Sequence, residues 1–322
     1  MATLTLTGAL TLVQLTKQLV GGELQEIAEV LSEYQEIFQD AVFREANSNT
    51  HHIHPQRLAL PTGSFRNVNQ GVAAEASLTK QVTENIGMLE AISNIDEALV
   101  EMSGNKTEFR AGEDAAFLEG MSQTFADAFV YGNAIADPEQ INGLVTRYNA
   151  LALANVWGCS GTAGTTTSLW AVQWGFNKVF FVYPKGHRSA GVEKEDMGRR
   201  YVKDSGGTNE YIAWTSHFKL KLGIVVRDDR NIQRLANIQA AGAANIFNPD
   251  ILVTALNHMP QRGKGAVIYG NQTLVSQMDI DAMDKGNVLY SPGEPYGDEV
   301  TRFRRKPIRI CEAILDTETA IT

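Results

Sequence analysis

Apolar positions recur at spacings of three and four in two stretches of this chain, and each stretch predicts a helix. In the first, Leu24, Ile27, Leu31, Tyr34, Phe38 and Ala41 fall on one face of a helix over 23–45, with Gly21-Gly22 at its start and polar residues on its other face. In the second, Leu118, Met121, Phe125 and Phe129 form the stripe of a helix over 109–132, and Gly132-Asn133 supplies its stop. Between the two the pattern disappears. Residues 47–75 are rich in Asn, Gly, Pro, Ser and His. Asn67 to Gly71 reads as the bend of a two-stranded ribbon, and 77–90 as its returning arm. The segment 50–94 has little apolar content and no core face. A two-stranded ribbon is marginal alone, and connections of this length are usually functional. The expectation is an extended loop that gains its order on another copy of the chain.

From Val156 to Val226 the period changes to that of strands. Trp170, Val172 and Trp174 follow a Gly/Thr-rich turn, Val179 to Val182 read as a buried strand, and Tyr211 to Val226 holds two alternating runs of one sheet. Asn248-Pro249 opens a helix through Leu252, Leu256 and Met259 that Gly263 ends. Ala266 to Tyr269 is then a strand, 271–284 is helical, and Lys306 to Leu315 is a last strand before a short tail. No repeat or Pro/Ser-rich linker divides the chain, so an α+β unit with subdomains is expected.

Composition narrows the function. With 322 residues and 43% hydrophobic content the chain can bury a sizeable core. Its net charge of −9 argues against sequence-independent nucleic-acid binding, which needs cations to neutralise phosphates. Two cysteines, Cys159 and Cys311, make no disulfide framework. Residues 1–20 read as an arm and lack the pattern of a signal peptide, and no apolar run approaches the ~18 residues of a membrane span.

Several catalytic patterns nearly form. Gly161-Thr162-Ala163-Gly164-Thr165-Thr166-Thr167-Ser168 resembles a phosphate loop but lacks the lysine that reaches the phosphates, and reads as a flexible turn. Gly158-Cys159-Ser160-Gly161-Thr162 resembles a nucleophile elbow but has Thr162 where a glycine must sit. His51, His52 and His54 have no Cys, Asp or Glu at metal spacing and read as solvated loop residues, so no metal or cofactor is expected. Trp157, Trp170, Trp174 and Trp214 read as sheet core. Arg302, Arg304, Arg305, Lys306 and Arg309 make one dense basic run. On an acidic chain, that run suits the carboxylates of a neighbouring copy better than DNA.

Taken in order, these pieces resemble the major capsid proteins of tailed bacteriophages, which share the Hong Kong 97 phage-type fold, and in particular the branch found in certain short-tailed phages. The strings that carry the resemblance are Glu45-Ala46-Asn47, Leu60-Pro61-Thr62, Arg66-Asn67-Val68-Asn69-Gln70-Gly71 and Tyr131-Gly132-Asn133. Further on come Trp174-Gly175-Phe176-Asn177-Lys178-Val179, Tyr183-Pro184-Lys185-Gly186, Ser189-Ala190-Gly191-Val192 and Leu222-Gly223-Ile224-Val225-Val226-Arg227-Asp228. Each is weak alone, but they span almost the whole chain in order. The resemblance implies an N-terminal arm and helix over 1–46, an extended loop over 47–95, a peripheral domain over 96–244 with a spine helix at 107–132, and an axial domain with a return strand over 245–322. It implies a shell protein that assembles with itself as pentamers and hexamers into an icosahedral capsid around a double-stranded DNA genome, without sequence-specific contacts and without a membrane. Portal, scaffolding and cement proteins are the implied further partners, and the virion, assembled in the bacterial cytoplasm, is the implied location. Some relatives link subunits covalently through Lys and Asn, but no such pair matches here. The expected contacts between subunits are Arg66, Asn67 and Asn69 on the loop and Arg302, Arg304 and Arg305 on the basic run. Two rival functions are a hydrolase using Ser160 or Cys159 and a monomeric binding module.

Overall fold

The computed structural model describes residues 37–162, 164–186, 192–204, 206–242, 244–281 and 302–322 in full, and 19–20, 23–24, 282–285 and 290–291 as backbone. The chain forms two compact units, one from Met88–Phe125 and Gly191–Lys221 with the N-terminal strands, the other from Tyr34–Gly87, Ala126–Ala190 and Leu222–Thr322.

In the first unit, β1 (Leu19–Val20) pairs with β2 (Glu23–Leu24). The helix expected over 23–45 therefore does not begin at Glu23, and residues 25–36 of it lie outside the described residues. Strand β6 (Gly87–Asp96) leads into α2 (Glu97–Met102), where the Asp96 carboxylate accepts the Ala98 N–H at 2.9 Å and caps the helix. The long helix α3 (Lys106–Tyr131) starts within three residues of its expected place. Its N-terminal turns pack Phe109 with Ile95, Leu99, Val100 and Trp214. The apolar stripe is shifted from the one expected. Met121 and Phe125 are buried, but Leu118 is 39% exposed and Phe117 takes its place, stacked on Phe218 with ring centroids 5.8 Å apart. Phe218 belongs to β11 (Glu210–Val226), one 17-residue strand where two runs were expected. Its partner β10 (Glu193–Lys203) is antiparallel and was not anticipated. Charges at Glu193, Lys194, Glu195, Asp196, Arg199 and Arg200 mark β10 as a guarded edge, and hide any apolar alternation.

In the second unit the core is a seven-stranded sheet in the order β14-β15-β16-β13-β8-β12-β7. Its centre is β8 (Thr166–Gln173), buried at every position and antiparallel to both β12 (Ile232–Gln239) and β13 (Ala266–Gly270). The turn expected at 160–168 thus gives way to strand at Thr166, because Thr166 to Ser168 find hydrogen-bond partners inside the sheet. Strand β7 (Val156–Gly158) runs parallel to β12, and β16 (Lys306–Ile310) runs parallel to β13. Strand β16 ends at Ile310, short of the expected Leu315. Strands β14 (Tyr290–Ser291) and β15 (Arg302–Phe303) complete the edge. Helices α5 (Pro249–His258) and α6 (Gln272–Lys285) cover the sheet with Leu252, Ala255, Leu256, Leu274 and Met278.

A second set of strands joins β9 (Val179–Tyr183) to the end of β11 and, in parallel, to β3 (Phe43–Glu45). Among the described residues, the expected first helix is present as α1 (Ile37–Asp40), and Phe43–Glu45 at its expected end is strand. The Phe43 and Phe38 rings lie 5.5 and 6.4 Å from Phe181, and pairing with β9 overrides the helical period. The last turn of α3 brings Phe129 to the same ring, 5.4 Å away and edge-on. The helix must then stop. A Cβ on Gly132 would lie 2.3 and 2.4 Å from the carbonyl oxygens of Ala128 and Ile141, so only glycine fits. The segment after Gly143 forms α4 (Leu144–Arg147). The C-terminal tail is not free. Thr166 and Glu318 form a β-bridge, Tyr131 donates to Glu318 at 2.7 Å, and Arg234 pairs with Glu318 at 3.0 Å where both side chains are buried.

Candidate inter-subunit surfaces

Strands β4 (His51–Ala59) and β5 (Leu78–Asn85) form the expected antiparallel ribbon, with a bulge between Arg57 and Ala59. Pro55 is tolerated because the ribbon is all edge. Its root and its tip differ in kind.

The root is buried. Glu84 is 3% exposed and receives two hydrogen bonds from Arg147 of α4, at 2.7 and 2.6 Å, while Arg147 Nε donates to the Asn142 carbonyl. Burial works against the Arg147 charge, but the hydrogen bonds and charge of Glu84 outweigh it and hold the guanidinium above its ordinary range. His52 and His54, expected in solvent, are buried on the same face. Their rings stack 6.1 Å apart, and His52 meets Phe180 edge-on at 5.8 Å. Alternation along β4 turns every second residue inward, which polar composition concealed. Burial pushes both imidazoles below their ordinary value. Among the described residues no group of three His, Cys, Asp or Glu stands where it would hold a metal.

The tip is bare, with every residue from 57 to 81 exposed. Glu75 closes its base, accepting the N–H groups of Thr62 and Gly63 at 2.7 and 3.0 Å, and the Gly63 bond followed by that of Thr62 lowers the Glu75 pKa. Arg66, Asn67 and Asn69 shape the turn. Arg66 donates to the Gln70 carbonyl at 2.9 Å, Asn67 O accepts Gln70 N–H at 3.2 Å, and Asn69 takes a left-handed φ of 70°. What projects is apolar: Leu58, Leu60, Phe65, Val68, Val72 and Leu78 are all more than half exposed. Sequence reasoning passed over these six because they follow no period.

The basic run lies in the β15–β16 hairpin. Phe303 pairs with Lys306, so Arg304 and Arg305 are a two-residue turn, both with positive φ. Arg302 is half-buried, and Arg304 donates to the Asn257 side chain at 3.3 Å. Arg309 is drawn away from the cluster by Asp40, with Nε 3.2 Å from its carboxylate. The loop residues and the hairpin residues are separate surfaces.

The rival catalytic residues are poorly placed for chemistry. Burial raises the Cys159 thiol to about 11, away from the reactive thiolate. Ser160 is exposed, and among the described residues no hydrogen bond joins its Oγ to a histidine or a carboxylate. Trp214 is not simple sheet core either. Lys106 and Arg110 sit over its ring, 3.3 and 4.9 Å from the centroid. No described helix is long and apolar enough to cross a membrane.

A long helix, a seven-stranded sheet lobe and a polar-rooted ribbon with an apolar tip define the Hong Kong 97-type class of shell-forming subunits. The structure of bacteriophage Epsilon15 derived from cryo-EM has this fold, matching with a TM-score of 0.74 and 27% identity over 100% of both chains. The bacteriophage JBD30 capsid is 10% identical over 88% of this chain and 96% of its own, with a TM-score of 0.46. No curated protein matches the sequence. The family model for major capsid protein GP7 matches residues 20–322, and the chain belongs to that family. It is a major capsid protein of a phage, a structural protein of the virion capsid that assembles with copies of itself.

Proposed function

We propose that this protein builds an icosahedral shell of pentamers and hexamers around double-stranded DNA, and that the ribbon tip is its principal reach onto a neighbouring subunit. One observation carries the reading: six large apolar side chains project from a segment with no core of its own. Exposed apolar patches of this kind mark interaction surfaces. Arg66, Asn67 and Asn69 set the tip's shape, and Arg302, Arg304 and Arg305 supply a second, polar contact to a neighbour. In this scheme 1–46 is the N-terminal arm, 47–95 the extended loop, 96–244 the peripheral domain and 245–322 the axial domain. The negative net charge keeps the inner wall from trapping the genome. Assembly takes place in the host cytoplasm, with portal, scaffolding and cement proteins as partners, and no catalysis is involved. The test is electron microscopy of purified protein against a variant lacking residues 63–73. Wild type forms uniform shells and the deletion leaves soluble subunits. Monodisperse small oligomers of the wild type, with esterase activity lost in Ser160→Ala, overturn the reading.

A further inference from the structure

We propose that the turns at Pro260–Lys264 and Arg304–Arg305 form one cationic tip, and that this tip docks into the acidic recess at the opposite end of α5 in a second copy of the chain. The inference rests on the shell reading above and adds to it a specific pair of surfaces.

The two turns are in contact. A Cβ on Gly263 would lie 3.1 Å from the Lys306 side chain, and Arg304 reaches Asn257 in the last turn of α5. Together they gather Arg262, Lys264, Arg304, Arg305 and Lys306, none of which pairs with a carboxylate among the described residues. These cations work against each other. Burial and then the Arg304 charge hold the Lys306 pKa below its ordinary range.

Backbone conformation points the same way. Gln261 and Arg262 have φ of 53° and 55°, and Arg304 and Arg305 have 49° and 63°. Two-residue hairpins with both central φ positive favour Asn-Gly, and long side chains rarely enter this region. Such strain persists where function requires it. Here the strained positions include arginines, of which Arg262 and Arg305 are exposed and Arg304 is part-exposed. Of the eight described non-glycine residues with positive φ, four lie in these turns and two more, Ser160 and Asn245, line the recess.

The recess is a cavity of about 610 Å³ bordered by Asn248, Asp250 and Asp281. The exposed Asp250 lies in the first turn of α5, whereas the cationic tip lies beyond its C-terminal end. A ten-residue helix is about 15 Å long, so tip and recess are different surfaces of one lobe. A contact between unlike surfaces of identical subunits is head-to-tail and closes into a ring under rotation, as the capsomers of a shell require. Opposite charges on the two faces also steer encounter and fix register.

The decisive variant is Arg304→Asn with Arg305→Gly. It relaxes the turn while removing its charges, so the dissociated subunit should melt at or above the wild-type temperature. Assembly followed by light scattering should slow about tenfold at low salt, the lower end of electrostatic steering. The single variants Arg304→Asp and Asp250→Arg should each slow assembly, and the two combined should restore it. If the wild type assembles and the Asn-Gly variant matches its rate, the tip is not a contact; this inference then fails together with the polar contact assigned to Arg304 and Arg305, while the shell reading stands. If the combined variant remains as slow as either single one, Asp250 is not the acceptor and the inference also fails. If shells form at the wild-type rate but retain less DNA, the partner is phosphate and the inference is overturned. A wild type that forms no shells removes this inference together with the shell reading.

Discussion

Replacing Glu84 by Gln at the ribbon root should strand the Arg147 charge in a buried site. The Glu84 and Arg147 side chains are 4% and 19% exposed, and they share two short hydrogen bonds. Breaking a buried pair from one side costs about 3–5 kcal/mol. Arg147 keeps its bond to the Asn142 carbonyl and some access to water, which places the loss near the lower end, about 3 kcal/mol. Since about 1.4 kcal/mol is a factor of ten, opening of the root should become roughly a hundredfold more frequent. Hydrogen exchange reads this directly at the amides of His54 and Val82, which are paired across the ribbon at the hydrogen-bonded positions of the ladder. Urea unfolding of dissociated subunits gives the global figure. The control is Glu84→Leu with Arg147→Met, which removes both charges and should lie within about 1 kcal/mol of wild type. A Glu84→Gln loss below about 1 kcal/mol, or a double variant no better than the single one, would show that the pair is not the desolvated lock described here.

Acid should loosen the same root. Burial, the His54 ring, Arg44 and Arg227 hold His52 below 6.5. Burial lowers His54 as well, with Arg227 and Arg147 adding and Glu84 and the Val226 carbonyl opposing. Between the lowered values and 6.5 the unfolded chain binds more protons than the folded one, so stability is lost as pH falls through that window. Melting from pH 7 to 5 should show a shallower decline in His52→Phe/His54→Phe than in wild type, and equal slopes refute the assignment. On α3, Phe125→Ala should cost about 3–5 kcal/mol and Leu118→Ala well under half of that, as chemical denaturation will show. The reverse order would restore the stripe first expected from periodicity. Glu318→Ala should cost about 3–5 kcal/mol by stranding Arg234, and a loss below about 1 kcal/mol would mean that the tail is dispensable.

Helices α3, α5 and α6 and strands β8, β9, β11 and β13 were legible from the spacing or runs of their apolar residues, and the ribbon from its turn-forming residues and its lack of a core face. The failures have specific physical causes. Around Phe43 the helical period was present, but a strand pairing with β9 and a contact with Phe181 outweighed it. Strand β12 carries Gln233, Arg234 and Asn237 in its interior, so its pattern looks like loop. Those polar groups are tolerated only because the tail returns from the far end of the sequence to meet them. Arg234 finds Glu318, and Asn237 exchanges hydrogen bonds with Ile321 at 2.9 Å each way. No local window contains both halves of such a pair.

The assembly surfaces were half legible for a related reason. A segment without a core announces that something outside it must complete it, and that absence was visible at 50–94. Which side chains do the completing depends on the turn, since Arg66 and Asn69 are spent on shaping it while Phe65 and Val68 are left outward. The basic run was visible as charge, and Gly263 marked its partner turn, but the left-handed backbone of the two residues before that glycine was not visible. Gln261-Arg262 carries no glycine or asparagine to signal a left-handed backbone, and rules of turn chemistry assign such positions to those residues. A turn that departs from its own preferred chemistry is invisible to those rules. At both left-handed turns the departing residues include arginine, the residue type suited to gripping a carboxylate, so the conformational cost and the charge fall on the same few positions.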